Sequence, residues 1–109
     1  MVKEDDVEKA ADFIRDHGRA YGKAKAERLY LDEYRKSKKS ELMQKTTGTD
    51  KTRESFAYAH PDYLDLLEAR KLATEEEERL RWMMVAAQAK IEIWRTQQAN
   101  NRTIDRTHS

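Results

Sequence analysis

The sequence predicts an all-α fold in which two long antiparallel helices form a helical hairpin, joined by a short helical connector. Three observations lead to this prediction. Glycine and proline are scarce, with three Gly and one Pro in 109 residues, so few positions interrupt a helix. Apolar residues recur at steps of three and four over long stretches, which is the spacing of an amphipathic helix. One short segment combines the residue types that end and start helices.

The first long helix is predicted over residues 4–45. Its inner, apolar stripe runs from Val7 through Ile14 to Leu31. Acidic residues lie at its start and lysines near its end, an order that suits the helix dipole. Gly18 and Gly22 lie inside this helix, either as tolerated weak points or as a notch that receives a bulky side chain from a neighbour.

The connector is predicted over residues 46–60, with a short helix at 51–59. Gly48 follows the first periodic region and suits a helix end, and Pro61 suits the start of a second long helix at 61–101. The polar tail, residues 102–109, is expected to fray. Because so short a connector makes the long helices antiparallel, we expect a single hairpin domain over residues 1–109.

An approximate pairing of the two long helices follows from this topology. Position i is expected to face roughly position 100 minus i, to within one helical turn. The pairing brings the acidic run at 75–78 toward residues 22–25 and places Trp82 near Gly18. It also places Asp5 and Asp6 near Arg95.

Composition and charge narrow the functional classes. Lys and Arg number 22 and Asp and Glu 21, a net charge of +1, so any binding to nucleic acid must be local. Without cysteine the chain has no disulfide, no thiolate metal site and no thiol nucleophile. No apolar run approaches the roughly 20 residues of a membrane span, and the start lacks the apolar core of a signal peptide. We therefore expect a cytoplasmic protein that does not bind membranes.

The stretch from Leu80 to Trp94 carries apolar residues on two opposite sides. One side contains Leu80, Met84, Ala87, Ile91 and Trp94. The other contains Trp82, Val85, Ala86, Ala89 and Ile93. At about 100° per residue these two sets lie nearly opposite each other, so one neighbouring helix covers only one of them.

The second side therefore needs a cover, and the sequence leaves three candidates. Self-association of two hairpins into a four-helix bundle is the simplest, with a homodimer favoured. The connector or the tail could instead fold back over this side. A different protein is the third candidate.

Two charged runs are candidate binding sites. Four cations and an aromatic ring lie close together near the end of the first long helix: Tyr34, Arg35, Lys36, Lys38 and Lys39. They could bind phosphates and stack on an unpaired base, or they could be a solvated helix end favoured by the dipole. Four consecutive acids, Glu75, Glu76, Glu77 and Glu78, could bind a basic groove or form a solvated face.

The chain offers few groups for catalysis or metal binding. His17 lies on the inner stripe without a second ligand at metal-binding spacing, and His60 stands beside Pro61. Gly-rich phosphate loops, nucleophile elbows and convergent carboxylate pairs are not recognisable in the sequence. We predict no enzymatic activity, no cofactor and no metal.

Three segments resemble a family of small helical proteins of tailed bacteriophages. They are YLDEYRKSKKSELM (Tyr30 to Met43), YAHPDYLDLLE (Tyr58 to Glu68) and LRWMMVAAQAKIEIWRTQQANNR (Leu80 to Arg102). Members are found among phage replication and recombination genes, so the resemblance implies a role in DNA metabolism inside the bacterial host. It implies no particular activity and no functional residues.

The sequence thus predicts a non-catalytic accessory module of phage DNA recombination or replication. It would act by binding a protein partner of phage or host origin, or by binding DNA locally through the run at 34–39. The alternative prediction is an inhibitor of a host defence or nuclease complex that uses the acidic run at 75–78.

Overall fold

The computed structural model describes residues 1–108, with His108 described by its backbone alone, and these residues are all-α. Helix α1 spans Glu4–Met43, α2 spans Asp50–Ala59 and α3 spans Pro61–His108. Residues 1–108 contain no strand. The predicted fold class and the order of one long, one short and one long helix are confirmed.

Local chemistry explains where the helices end and begin. Gly48 has a φ of 128°, a conformation that favours glycine, and it lies between α1 and α2. The Thr49 hydroxyl caps α2 by accepting a hydrogen bond from the backbone N–H of Thr52 at 3.2 Å. His60 is extended, as expected for a residue before proline, and α3 starts at Pro61.

The frayed tail predicted from residue 102 is wrong for residues 102–108, because α3 continues through them to His108. After Pro61 the chain contains neither Gly nor Pro to interrupt the helix. Two threonine hydroxyls bond to carbonyls one turn earlier, Thr103 to Ala99 at 3.1 Å and Thr107 to Thr103 at 2.9 Å. Ser109 lies outside the described residues.

The chain divides into two compact units. The turn unit is Gly22–Glu78, and it contains α2 with the adjoining parts of α1 and α3. The terminal unit is Met1–Tyr21 together with the chain from Arg79 onward.

One residue from each helix forms the core of the turn unit. Leu42 of α1 and Ala57 of α2 are fully buried, and Tyr63 of α3 packs with them. Met43 adds a partly buried side chain to this cluster. Because the cluster joins all three helices within a few residues of the turns, it determines how α2 sits against the hairpin.

A buried network of charged side chains joins α1 to α3 in the turn unit. The Arg28 guanidinium lies between Glu77, with Nη2 to Oε1 at 3.2 Å, and Asp32, with Nη1 to Oδ2 at 3.2 Å. Asp32 also pairs with Arg70. Glu77 is only 5% exposed, and its bond to Arg28 raises the pKa of the guanidinium. Two cations and two anions thus neutralise one another across the helix pair.

The network corrects the predicted register in the turn unit. Lys38 Nζ lies 3.8 Å from a carboxylate oxygen of Asp62, as the predicted pairing requires. Glu77, in contrast, pairs with Arg28 rather than with residues 22–25. Arg28 lies five residues beyond position 23, where the predicted pairing places Glu77, and five residues exceed one helical turn.

Small and apolar residues pack in the terminal unit. Ala10 of α1 and Leu80 and Ala87 of α3 are buried, while Met84, Ile91 and Trp94 are half-buried. The predicted inner stripes of both long helices are therefore the packed sides here. His17 stacks on Phe13 with ring centroids 4.0 Å apart, which is the geometry of a packed histidine.

Of the two interpretations of Gly18 and Gly22, the notch is wrong and the tolerated weak point remains. A Cβ atom added at Gly18 or at Gly22 would meet nothing within 4 Å, so neither glycine receives a bulky neighbour. Trp82 instead points to solvent. Arg95 pairs with Glu92 at 3.0 Å on its own helix, and Asp5 pairs with Lys9 at 3.2 Å.

We expect Leu42→Ala to lower the free energy of unfolding by about 2–5 kcal/mol, because it leaves a cavity at the junction of the three helices. Leu29→Ala is the matched control, since Leu29 is 48% exposed and its truncation should change stability by roughly 0.5 kcal/mol or less. Chemical denaturation followed by circular dichroism measures both. Equal losses would contradict the assigned core.

Glu77→Gln should lower the melting temperature by at least about 5 °C, because it removes the negative charge that neutralises Arg28 in a buried position. Glu75→Gln makes the same change at an exposed position two residues away and should have little effect. A thermal scan of both variants tests this, and a Glu77→Gln protein as stable as Glu75→Gln would argue against a structural role for the network.

Candidate functional site

An exposed apolar surface of the terminal unit lies on α3. We call it the outer face, defined by Trp82, Val85, Ala86, Ala89 and Ile93. All five side chains are exposed, with exposed fractions of 58% for Trp82, 41% for Val85 and 49% for Ile93. The inner side of the same helix segment is packed, so the helix is apolar on both sides and covered on one.

Neither the connector nor the tail covers the outer face. The exposed fractions of its residues show this directly, and α3 runs on as a helix to His108 instead of turning back. The prediction that a folded-back segment could cover this side is therefore wrong for residues 1–108. A second molecule, identical or different, is the remaining candidate for a cover.

Ile104 extends the outer face and was missed from the sequence. It is 52% exposed and lies eleven residues after Ile93, which itself lies eleven residues after Trp82. Eleven residues make slightly more than three complete helical turns, so these three side chains project in nearly the same direction. The eleven-residue spacing was the signal that could have found Ile104, but the polar surroundings at 95–103 concealed it.

Cation–π contact shapes one end of this surface. The Arg81 guanidinium lies over the Trp82 ring, 4.5 Å from its centroid. The contact covers part of one ring face and leaves the indole as a large, partly polar anchor at the surface. Tryptophan in such a position is typical of the residues that dominate protein interfaces.

A second candidate site is an open groove at the corner of the turn unit. We call it the corner groove; it has a volume of about 420 Å³. Its lining consists of Arg35, Lys36, Lys39, Ser40, Met43, Tyr58 and Tyr63. The groove exists because α2 packs its Tyr58 side near the end of α1, where three cations recur on one side of the helix.

The five residues predicted as a nucleic-acid site do not form one patch. Arg35, Lys36 and Lys39 line the corner groove, whereas Tyr34 and Lys38 do not. Tyr34 stacks on Tyr30, with ring centroids 5.8 Å apart. At about 100° per residue, positions 34 and 38 share a side of α1 that differs from the side facing the groove.

Carboxylates neutralise most of these lysines. Lys36 pairs with Glu33 at 3.4 Å, and Lys39 pairs with Glu54 at 3.3 Å while lying 4.8 Å from the centroid of the Tyr58 ring. Interaction with Tyr58 raises the pKa of Lys39, burial opposes this shift, and Glu54 reinforces it. The ammonium group is therefore charged at neutral pH, but it is already occupied.

Lys38 is neutralised in the same way on its own side of α1. It pairs with Glu41 at 3.4 Å and with Asp62 at 3.8 Å. Burial lowers the pKa of Lys38, but these carboxylates outweigh burial and raise it above the ordinary value. The side chain is mostly buried, so it is a structural cation rather than an accessible one.

Arg35 differs from its neighbours in the run. It is half-buried, it lines the groove, and within the described chain it makes no ion pair or hydrogen bond. An unpaired guanidinium in a groove can bind an anionic ligand with two parallel hydrogen bonds. It is the strongest anion-binding group that this corner offers.

The acidic run does not form a continuous exposed face. Glu75 and Glu76 are exposed, Glu78 is half-buried, and Glu77 is buried against Arg28. Consecutive helical residues point in different directions, and Glu77 falls on the side of α3 that faces α1. The predicted four-residue acidic surface is therefore wrong at Glu77.

The described residues contain no group of three or more His, Asp or Glu side chains that could hold a metal ion. Across the same residues, no helix is both long and apolar enough to cross a membrane. Comparison with protein-family models, with curated proteins and with solved structures finds no match to this chain.

Proposed function

We propose that this protein is a non-catalytic accessory module that works by binding other macromolecules through the outer face of α3. The observation that carries the proposal is the exposure of Trp82, Val85 and Ile93 on a helix whose opposite side is already packed. Burial of each large apolar side chain contributes about 1.5–3 kcal/mol, a gain that this chain obtains only when a second molecule covers the face.

The resemblance of three segments to small proteins of tailed bacteriophages supports a role in phage DNA recombination or replication, in the cytoplasm of the bacterial host. The corner groove is lined by Arg, Lys, Ser, Met and Tyr side chains, and its cations suit an anionic ligand.

Local DNA binding at the corner groove is a second candidate function, and the unpaired Arg35 favours it. The guanidinium would contact a phosphate, and the Tyr58 ring, which is partly exposed, would stack against a base of a single strand. Since Lys36, Lys38 and Lys39 are each paired with a carboxylate, we expect few counterions to be released and a shallow salt dependence.

Inhibition of a host nuclease through an acidic face is less well supported. Glu77 is buried and neutralised by Arg28, so the run at 75–78 offers fewer accessible charges than its sequence indicates. A protein that occupies a basic groove needs several carboxylates pointing the same way. The exposed pair, Glu75 and Glu76, points in two directions about 100° apart.

Ile93→Glu should abolish partner binding by the outer face, because it places a charge at the centre of the apolar surface. Tagged wild type and tagged Ile93→Glu would each be co-expressed with an untagged copy and incubated with host lysate. The proteins that bind to the wild type are then compared with those that bind to the variant. Leu29→Glu is the matched control, since Leu29 is 48% exposed and belongs to the turn unit. Retention of the same bound proteins, including the untagged copy, by Ile93→Glu would refute the proposal.

Arg35→Glu should weaken binding of a fluorescent single-stranded oligonucleotide by about tenfold or more, since it removes the accessible cation and adds a negative charge. Fluorescence anisotropy at low salt measures the dissociation constant. Arg19→Glu makes the same charge change on an exposed part of α1 in the terminal unit. Equal weakening by both variants would indicate general charge attraction rather than a site in the groove.

A further inference from the structure

We propose that the outer face binds a second copy of this chain, with the two α3 helices parallel and in register at Ile93. This inference rests on the proposed function, because it names the partner that covers the same surface. Three properties of the terminal unit lead to it: the spacing of the apolar residues, the charges beside them, and the area that they expose.

The spacing suits a long, straight contact between two helices. Trp82, Ile93 and Ile104 recur every eleven residues, and the row is about 33 Å long at 1.5 Å per residue. An eleven-residue repeat keeps one side of a helix facing its partner with only slight right-handed supercoiling. The small side chains of Ala86 and Ala89 lie between the first two large ones, so two helices can approach closely there.

The charges beside this row select the parallel orientation. Lys90 lies about 60° to one side of Ile93 around the helix, and Glu92, which also pairs with Arg95 on its own helix, lies about 100° to the other. In a parallel pair, the Lys90 side of one helix lies beside the Glu92 side of the second copy at nearly the same height. In an antiparallel pair centred on Ile93, the Glu92 side of one helix lies beside the Glu92 side of the second copy, and the two carboxylates approach each other. Complementarity therefore favours the parallel pair.

The exposed area lies at the lower limit for a specific dimer. From the exposed fractions, the outer face and Ile104 present roughly 500 Å² per chain, so a symmetric pair would bury about 1,000 Å² before the flanking residues are counted. That value reaches the lower limit for specific interfaces between proteins. Each copy would also contribute the packed α1 segment of its terminal unit, which gives the pair four helices.

The absence of cysteine from the sequence allows a direct test by single-cysteine cross-linking of the full chain. In the parallel register, Ile93→Cys and Ile104→Cys each bring a thiol against its own copy, within the Cα separation that a disulfide requires. We expect both variants to form disulfide dimers at least about tenfold faster under mild oxidation than Leu29→Cys, because the interface raises the local thiol concentration. A chain that carries both Ile93→Glu and Ile104→Cys should form disulfide dimers no faster than Leu29→Cys.

Orientation is read from a mixture of two variants. An antiparallel pair would place residue 82 beside residue 104, so Trp82→Cys mixed with Ile104→Cys would cross-link to each other while Ile104→Cys alone would not. That result overturns the parallel register. Cross-linking of Ile93→Cys no faster than Leu29→Cys, with circular dichroism showing an intact helical fold, overturns self-recognition through this face, because residue 93 meets its own copy in both orientations.

The proposed function can survive the failure of this inference, and the two outcomes are distinguishable. If neither Ile93→Cys nor Ile104→Cys cross-links faster than Leu29→Cys but Ile93→Glu still eliminates bound host or phage proteins, the outer face binds a different partner and the second copy is excluded. If Ile93→Glu changes neither cross-linking nor bound proteins, both proposals fall.

Discussion

A helix buries only the side that a neighbour covers, and α3 carries apolar side chains on two opposite sides within the terminal unit. One side packs through Leu80 and Ala87, while the other presents Trp82, Val85 and Ile93 to solvent. The hydrophobic effect acts on both sides with similar strength, since large apolar residues occur on each. A lone chain therefore buries only one apolar side of this helix segment and leaves the other side exposed. The exposed side is the main physical reason for the proposal that this protein binds other molecules.

The turn unit is held together differently. Its core is small, with Leu42, Ala57 and Tyr63 at the junction of three helices. Further along, Arg28 connects Glu77 to Asp32 between α1 and α3. Buried charges of this kind contribute little net stability compared with apolar packing, but they discriminate strongly between alternative pairings because an unpaired charge there is costly. The network thus fits a role in setting the register, while the apolar corner provides the packing energy.

Most cations of the predicted basic patch pair with carboxylates of the same chain, so the patch offers fewer accessible charges than its sequence indicates. Lys38 and Lys39 look like part of a basic patch in the sequence, yet each is paired with carboxylates and Lys39 also contacts Tyr58. Arg35 is the exception in that run. A neutral protein with one unpaired guanidinium in an aromatic groove is better suited to a single anionic contact than to broad attraction along a DNA backbone.

The sequence by itself determined the features that depend on local interactions. Helical periodicity, the glycine at position 48, the Thr49 cap and the proline at position 61 act over three or four residues, so the helices, their order and their apolar sides could all be predicted. Only the tertiary structure decided the features that depend on which distant residues meet. The burial of Glu77, the neutralisation of Lys38 by Asp62 and the open space at Gly18 follow from the placement of one helix against another. Residues far apart in sequence leave no local signal of that placement. An apolar helix side indicates that it will be buried, but it does not identify the element that buries it.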